Sequence, residues 1–196
     1  MQAGELKEPV EVLELQKSGT DYAWALKHET WAKAEPQKGR SLFSAIGVGM
    51  RAVKFTIRKQ DITLDDAISW QGKHYFLTEI TEIDHMYYEI SAAEVEPKPC
   101  ELIEKTTEKD ELNRPVASAP EVTMTFPACM TEKYMGFAQQ IPQSRADVRF
   151  VLVTPKVITL ALGGLIRVEG IIYNVQVQHE LDEHKNEYEI AVIKEA

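Results

Sequence analysis

The stretch ISWQGKHYFL at residues 68–77 has a second version in the same chain, IRVEGIIYNV at residues 166–175. In both, apolar residues occupy alternate positions, a polar residue and a glycine follow, and an aromatic residue lies on the return. Alternation at every second position is typical of a strand with one buried face. A two-residue hairpin turn needs positive φ, which glycine adopts without steric cost. Each stretch therefore predicts a β-hairpin, with turns at Gln71–Gly72 and Glu169–Gly170.

The similarity between the two halves extends beyond these hairpins. Three further pairs of segments follow in the same order: 53–57 with 148–152, 62–64 with 158–160, and 88–90 with 188–190. The offset of about 95 to 100 residues is too long for a solenoid repeat and is typical of a duplicated domain. The alternative, that any two hairpins look alike, requires four matched segments to coincide by chance.

The pattern of short alternating runs predicts an all-β protein. We expect two tandem, small antiparallel β-barrel or sandwich domains, each of about six short strands with a short helix or loop insert. The expected domains are residues 1–97 and 121–196. Residues 98–120 are expected to be a charged linker that contains prolines, with a possible short helix at 101–112. Barrel closure would remove the exposed edges of such short strands.

Composition restricts the functional classes. The chain has 196 residues, 44% of them hydrophobic, and a formal net charge of −9. This charge disfavours sequence-independent nucleic-acid binding, which needs a basic surface. No run of about 20 apolar residues or signal-peptide pattern is present, so we expect no membrane span and an intracellular protein. Cys100 and Cys129 are expected to be free thiols.

No motif indicates catalysis, and we predict no catalytic, cofactor-binding or metal-binding residues and no cofactor. The nearest metal candidate is HELDEH at residues 179–184, with two histidines among three acidic residues. We interpret it as a solvated hairpin tip. A metal enzyme at this segment remains an alternative, which a metal-content assay would test.

The first half resembles the phage head–tail connector proteins, also called head–tail adaptor, head-closure or stopper proteins. The resemblance covers residues 10 to 95 and depends on an ordered set of segments: ETWAKAEP at 29–36, KGRSLFSA at 38–45, VKFTIR at 53–58 and WQGKHYFL at 70–77. The second half is similar more weakly, through 148–152 and 168–175. It lacks the tryptophan and the Glu-Pro corner, and Phe126–Pro127 stands there instead.

The resemblance implies a small β-barrel that assembles into a ring beneath the portal and bridges it to the tail, without catalysis. Implied partners are the portal protein, tail or neighbouring connector proteins and further copies of the chain, while DNA passes through without specific binding. The implied location is the cytoplasm during assembly and then the head–tail interface of the virion. The two inserts are the candidate subunit or portal contacts, because aromatic residues often anchor contacts. Their candidate residues are Lys38, Arg40, Phe43, Ile46, Tyr134 and Phe137.

A different class of function remains open, a small-molecule or oligosaccharide binding module built on OB-like barrels. It predicts a concave face with clustered aromatic residues. The residues that would form this platform are Trp24, Trp31 and Trp70, with Tyr75, Tyr87 and Tyr88 nearby.

Overall fold

The computed structural model describes residues 3–37, 51–104, 107–109, 115–117, 120–132, 149–180 and 183–193. Within these ranges the chain is all-β, and its only helical element is a single 3-10 turn at Ala3–Glu5. The strands are β1 (Glu8–Ser18), β2 (Asp21–Gln37), β3 (Ala52–Arg58), β4 (Ala67–Trp70), β5 (Lys73–Ile83), β6 (Tyr87–Val95), β7 (Pro97–Glu104), β8 (Thr107–Lys109), β9 (Pro115–Ala117), β10 (Glu121–Glu132), β11 (Arg149–Pro155), β12 (Leu165–Val168), β13 (Ile171–Glu180) and β14 (Lys185–Val192).

The strands form two closed antiparallel barrels with the same topology. The first barrel has the order β1-β2-β3-β6-β5-β4, and β4 pairs back with β1. The second has the order β7-β10-β11-β14-β13-β12, and β12 pairs back with β7. Strands β7, β10, β11, β12, β13 and β14 thus occupy the places of β1 to β6, while β8 and β9 form a separate two-stranded sheet. The predicted tandem-barrel fold is confirmed.

The two hairpins that predict the fold adopt the same turn. Gln71 and Gly72 have φ of 51° and 73°, and Glu169 and Gly170 have φ of 50° and 83°. Positive φ at both central residues matches the right-handed twist of the flanking strands. The local chemistry of the turn therefore sets the register of β4 with β5 and of β12 with β13.

The return strands carry matching bulges. The register of β5 against β6 shifts between Leu77 and Glu79, and that of β13 against β14 shifts between Val175 and Val177. A bulge bends its strand and increases the local twist, which helps a small sheet to close. The two barrels therefore share the position of this bulge as well as their strand order.

Two of the segment matches made from the sequence are displaced by two residues. Phe55 pairs with Ile90 in the first barrel, and the corresponding pair in the second is Leu152 with Tyr188. The counterpart of residues 53–57 is therefore 150–154, and Ile90 corresponds to Tyr188 instead of Ile190. A displacement of two residues keeps every side chain on its face of the strand, so the alternation pattern could not reveal it.

The structure also corrects the expected linker and the possible helix at 101–112. Residues 97–104 form β7, a wall strand of the second barrel that pairs with both β10 and β12. Residues 107–109 are strand β8, so neither described part of 101–112 is helical. Pro97 and Pro99 suggested a break, but Cys100 and Ile103 are buried. The strand conformation of this segment is determined by its pairing with β10 and β12, which are distant in sequence, and not by its local composition.

Candidate functional site

The six residues predicted as contacts, Lys38, Arg40, Phe43, Ile46, Tyr134 and Phe137, lie outside the described residues. The structure does show where their segments attach. Residues 38–50 connect β2 to β3, and residues 133–148 connect β10 to β11, the equivalent strands of the second barrel. Both inserts therefore depart from the same end of their barrels, which is also the end that carries the Gln71–Gly72 or Glu169–Gly170 turn.

The two barrels pack against each other through part of their outer walls. The contact cluster joins Ala67, Phe76 and Val95 of the first barrel to Cys129, Val151 and Val153 of the second, and all six are buried. Outer positions of a small barrel are usually polar because they face water. Here β11 is apolar on both faces, since Leu152 between these valines fills the barrel interior. The run VLV at 151–153 is the sequence signal for this contact, and the sequence analysis missed it.

The long β1–β2 hairpin extends from the first barrel onto the second. Leu15 and Tyr22, near its tip, pack against the core of the second barrel. The Asp21 carboxylate accepts a hydrogen bond of 2.7 Å from the backbone N–H of Thr125 in β10. The hairpin therefore adds polar and apolar contacts to the joint between the barrels.

Lys185 is a buried cation at this joint. Lys185 belongs to the second barrel and is only 4% exposed. Its ammonium donates hydrogen bonds to two carbonyls of the first barrel region, Leu77 O at 2.9 Å and Leu64 O at 3.3 Å. It also lies 5.7 Å from the ring centroid of Phe76. A buried ammonium is tolerated only when its donors find partners, so Lys185 favours one arrangement of the two barrels.

Carboxylates accompany this cation along β14. Glu187 and Glu189 are both buried and alternate with Asn186 and Tyr188, whose side chains turn into the barrel. The Nε2 atom of His179 lies 3.1 Å from Oε1 of Glu189. Buried charges of both signs on one barrel wall are costly unless they are paired, which indicates a joint held by specific polar contacts.

His74 lies on the first barrel's side of the joint. Its ring is 5.1 Å from that of Trp24 and 5.6 Å from that of Phe76. Its Nε2 atom is buried and has no hydrogen-bond partner. Burial lowers the pKa of His74 from 6.5 to about 4, because the apolar surroundings disfavour the charged imidazolium. The ring is therefore neutral at neutral pH.

The histidines of the 179–184 segment contact different carboxylates. His179 contacts Glu189, whereas Nδ1 of His184 lies 2.9 Å from Oδ1 of Asp65, on the loop before β4. His184 thus adds a further contact between the barrels. Among the described residues, no group of three or more His, Cys, Asp and Glu side chains is placed to hold a metal ion.

The three tryptophans do not form one platform. Trp70 packs edge-on against Phe55 at 5.6 Å in the first core, and Trp24 lies at the joint. Trp31 stands on the outer wall and is 58% exposed. The tyrosines are also dispersed, with Tyr75 and Tyr87 buried. The aromatic cluster that an oligosaccharide site would need is thus divided among the core, the joint and the surface.

Trp31 borders a shallow groove of about 600 Å³ on the first barrel. The groove is lined by Leu6, Lys7, Glu29, Thr30, Trp31 and Arg58. Lys7 and Arg58 are both exposed. An exposed tryptophan beside two cations is typical of a contact surface, since Trp and Arg are enriched among interface anchors.

The two cysteines are free and buried, as the sequence predicts. Cys100 lies inside the second barrel, and Cys129 lies between the barrels. Burial raises the pKa of Cys100 to about 12 and also raises that of Cys129. Because their side chains lie on opposite faces of the barrel wall, the two thiols are structural and do not form one site.

In the part of the chain that the structure describes, no helix is long and apolar enough to cross a membrane. A comparison with models of known protein families finds no match, and a comparison with curated protein sequences finds none that is significant.

Proposed function

We propose that the protein is a non-catalytic structural component of a phage or prophage virion, an oligomeric connector that joins the portal to the tail. The observation that carries this proposal is the pair of closed barrels with one topology, joined by a buried interface. A connector bears load between larger assemblies, so its domains must keep a fixed arrangement. The Lys185 contacts and the β1–β2 hairpin supply such a constraint.

Closed barrels restrict how such a protein can assemble. Closure removes the free edge wherever a strand is paired on both sides, so strand addition is blocked along those walls. There, subunits meet through wall side chains and connecting segments. The two inserts leave equivalent ends of the two barrels, which supports their role as the contacts with the portal or with neighbouring subunits.

Charge supports the same proposal. The net charge of −9 suits a channel through which DNA moves without being held, because tight backbone binding requires lysines and arginines that displace counterions. We expect the wall that faces DNA in the ring to be the more acidic one.

The test is assembly with any portal protein encoded in the same genome. Native mass spectrometry and negative-stain microscopy should show a ring of this chain on the portal. A chain that stays monomeric at high concentration, and also with portal present, would overturn the proposal. A gene neighbourhood without portal, capsid or tail genes would also count against it.

A further inference from the structure

The duplication gives an internal comparison of the two barrel surfaces. Because both barrels have one fold, each outer face of the first has an equivalent on the second. The joint within the chain uses the β4–β5 face of the first barrel and the β10–β11 face of the second. The equivalents of these two faces are β12–β13 on the second barrel and, on the first, β3 with residues 31–37 of β2, and none of their residues belongs to the apolar cluster of the joint.

The β12–β13 face is apolar for an outer wall. Leu165 occupies the position of Ala67, and Ile172 occupies that of His74. Ile193, whose N–H donates to Ile172 O at 3.0 Å, corresponds to Val95. Leu162, in the segment before β12, is 65% exposed. Asn174, however, takes the position of Phe76, so the second barrel keeps only part of the apolar surface that the first barrel uses for docking.

The β2–β3 face of the first barrel has a different character. Lys33 and Lys54 replace Cys129 and Val151 of the joint, and each forms an ion pair, with Glu35 at 3.0 Å and Glu89 at 2.7 Å. Trp31 takes the position of Pro127 and is exposed. One aromatic residue surrounded by charged residues is the composition of a reversible interface with a polar rim.

We propose that the β12–β13 face of one copy docks on the β2–β3 face of the next copy, with Trp31 as the anchor. This contact would repeat between chains the pairing of equivalent faces that forms the joint within one chain, although the β2–β3 face carries Lys33 and Lys54 where the β10–β11 face carries Cys129 and Val151. Such a contact is heterologous, and repeated it builds a ring or a filament. The inference rests on the proposed connector function and deepens it by naming the subunit contact.

The charged rim predicts that this contact is weaker than the joint within the chain. Lys33 and Lys54 stand where the joint has buried apolar residues, so less apolar surface is removed from water. We therefore expect association to depend on protein concentration and, because of the ion pairs, on salt.

The decisive experiment uses two single variants. Trp31→Glu destroys one face, and Ile172→Glu destroys the other. Each alone should associate at least about tenfold more weakly than the parent chain by mass photometry and sedimentation velocity. An equimolar mixture should form a dimer that does not extend, because each partner retains the one face that the other lacks.

Two further variants keep the test interpretable. Leu165→Glu, at a second apolar position of the same face, replaces Ile172→Glu if that variant does not fold. Met86→Glu changes an exposed apolar residue, 62% accessible, at the β5–β6 turn, outside the strands of both faces. It should leave association unchanged.

The outcomes separate this inference from the proposed function. Association that survives Trp31→Glu and both β12–β13 variants would overturn the contact and leave the connector proposal standing. A chain that forms rings only on the portal and does not self-associate in isolation would also overturn the proposed contact and leave the connector proposal standing. If the parent chain assembles neither alone nor with the portal, both the proposed contact and the connector function are wrong.

Discussion

His74 shows how one residue can make the joint between the barrels sensitive to pH. Its ring is enclosed by Trp24 and Phe76, and its buried Nε2 atom has no partner that could stabilise a proton. Ile172 occupies the same position on the second barrel, so the barrel fold does not need a histidine there. The sequence alone could not single out His74, because its burial depends on a neighbouring domain.

We predict that acid weakens the fold through His74. The pKa is about 4 in the folded chain and 6.5 as a reference for the unfolded one, so between these values the unfolded chain binds a proton that the folded chain does not. Unfolding free energy should therefore be highest above pH 6.5. It should fall by on the order of 2 to 3 kcal/mol as pH is lowered to 4.

The measurement is urea denaturation from pH 7 to pH 4 on the parent chain and on His74→Ile, which copies the second barrel. The variant should lose less stability over this range, and the difference isolates His74 from the carboxylates that titrate there too. His85→Asn, at a side chain that is 99% exposed, should behave like the parent. Equal slopes for the parent and His74→Ile would refute the assignment.

Among the elements, the hairpins are the part of the fold that local chemistry decides. Their turns require positive φ at a fixed position, and Gly72 and Gly170 supply it. Both were therefore predictable from ten residues each. Strand β7 was not, because its prolines and charges are typical of a linker, and its place depends on pairing with β10 and β12. Period-two alternation also cannot detect a displacement of two residues. This explains why the sequence comparison matched β3 and β6 to segments that lie two residues away from their structural counterparts in the second barrel.

We predict that Gly72→Ala and Gly170→Ala each lower the unfolding free energy by about 1 to 2 kcal/mol. A Cβ at either position meets no atom within 4 Å, so the cost comes from the backbone conformation alone. The two losses should be similar because the turns are equivalent. Gly4→Ala is the matched control, as Gly4 also has open space but no positive φ. Urea denaturation would measure all three, and losses no larger than that of Gly4→Ala would contradict the argument.

At the scale of the whole molecule, the joint between the barrels decides whether the chain behaves as one body. Four kinds of contact cross it: the apolar cluster of the walls, the β1–β2 hairpin tip, the hydrogen bonds of Lys185 and the pair of His184 with Asp65. The sequence predicted two barrels but not which outer faces are covered. Two-sided apolar runs such as VLV at 151–153 can mark such a face, although they do not name its partner. The candidate contacts in the inserts stay predictions, because those residues lie outside the described part of the chain.

Lys185→Met tests the joint directly. It removes the donor to Leu77 O and Leu64 O and leaves these carbonyls without that partner in a buried site. We expect a loss on the order of 3 kcal/mol, typical of breaking a buried polar contact from one side.

The loss should also uncouple the barrels, and the chain offers separate probes for this. All three tryptophans lie on strands of the first barrel, with Trp24 at the joint, so their fluorescence reports that barrel and its contact with the second, whereas far-UV circular dichroism reports both barrels. The parent should give coincident urea transitions by the two probes, and Lys185→Met should give transitions that separate. Lys98→Met, which removes a surface ion pair with Glu169 inside the second barrel, should keep them coincident. If Lys185→Met also leaves them coincident and costs no more than Lys98→Met, the buried ammonium does not hold the two barrels together.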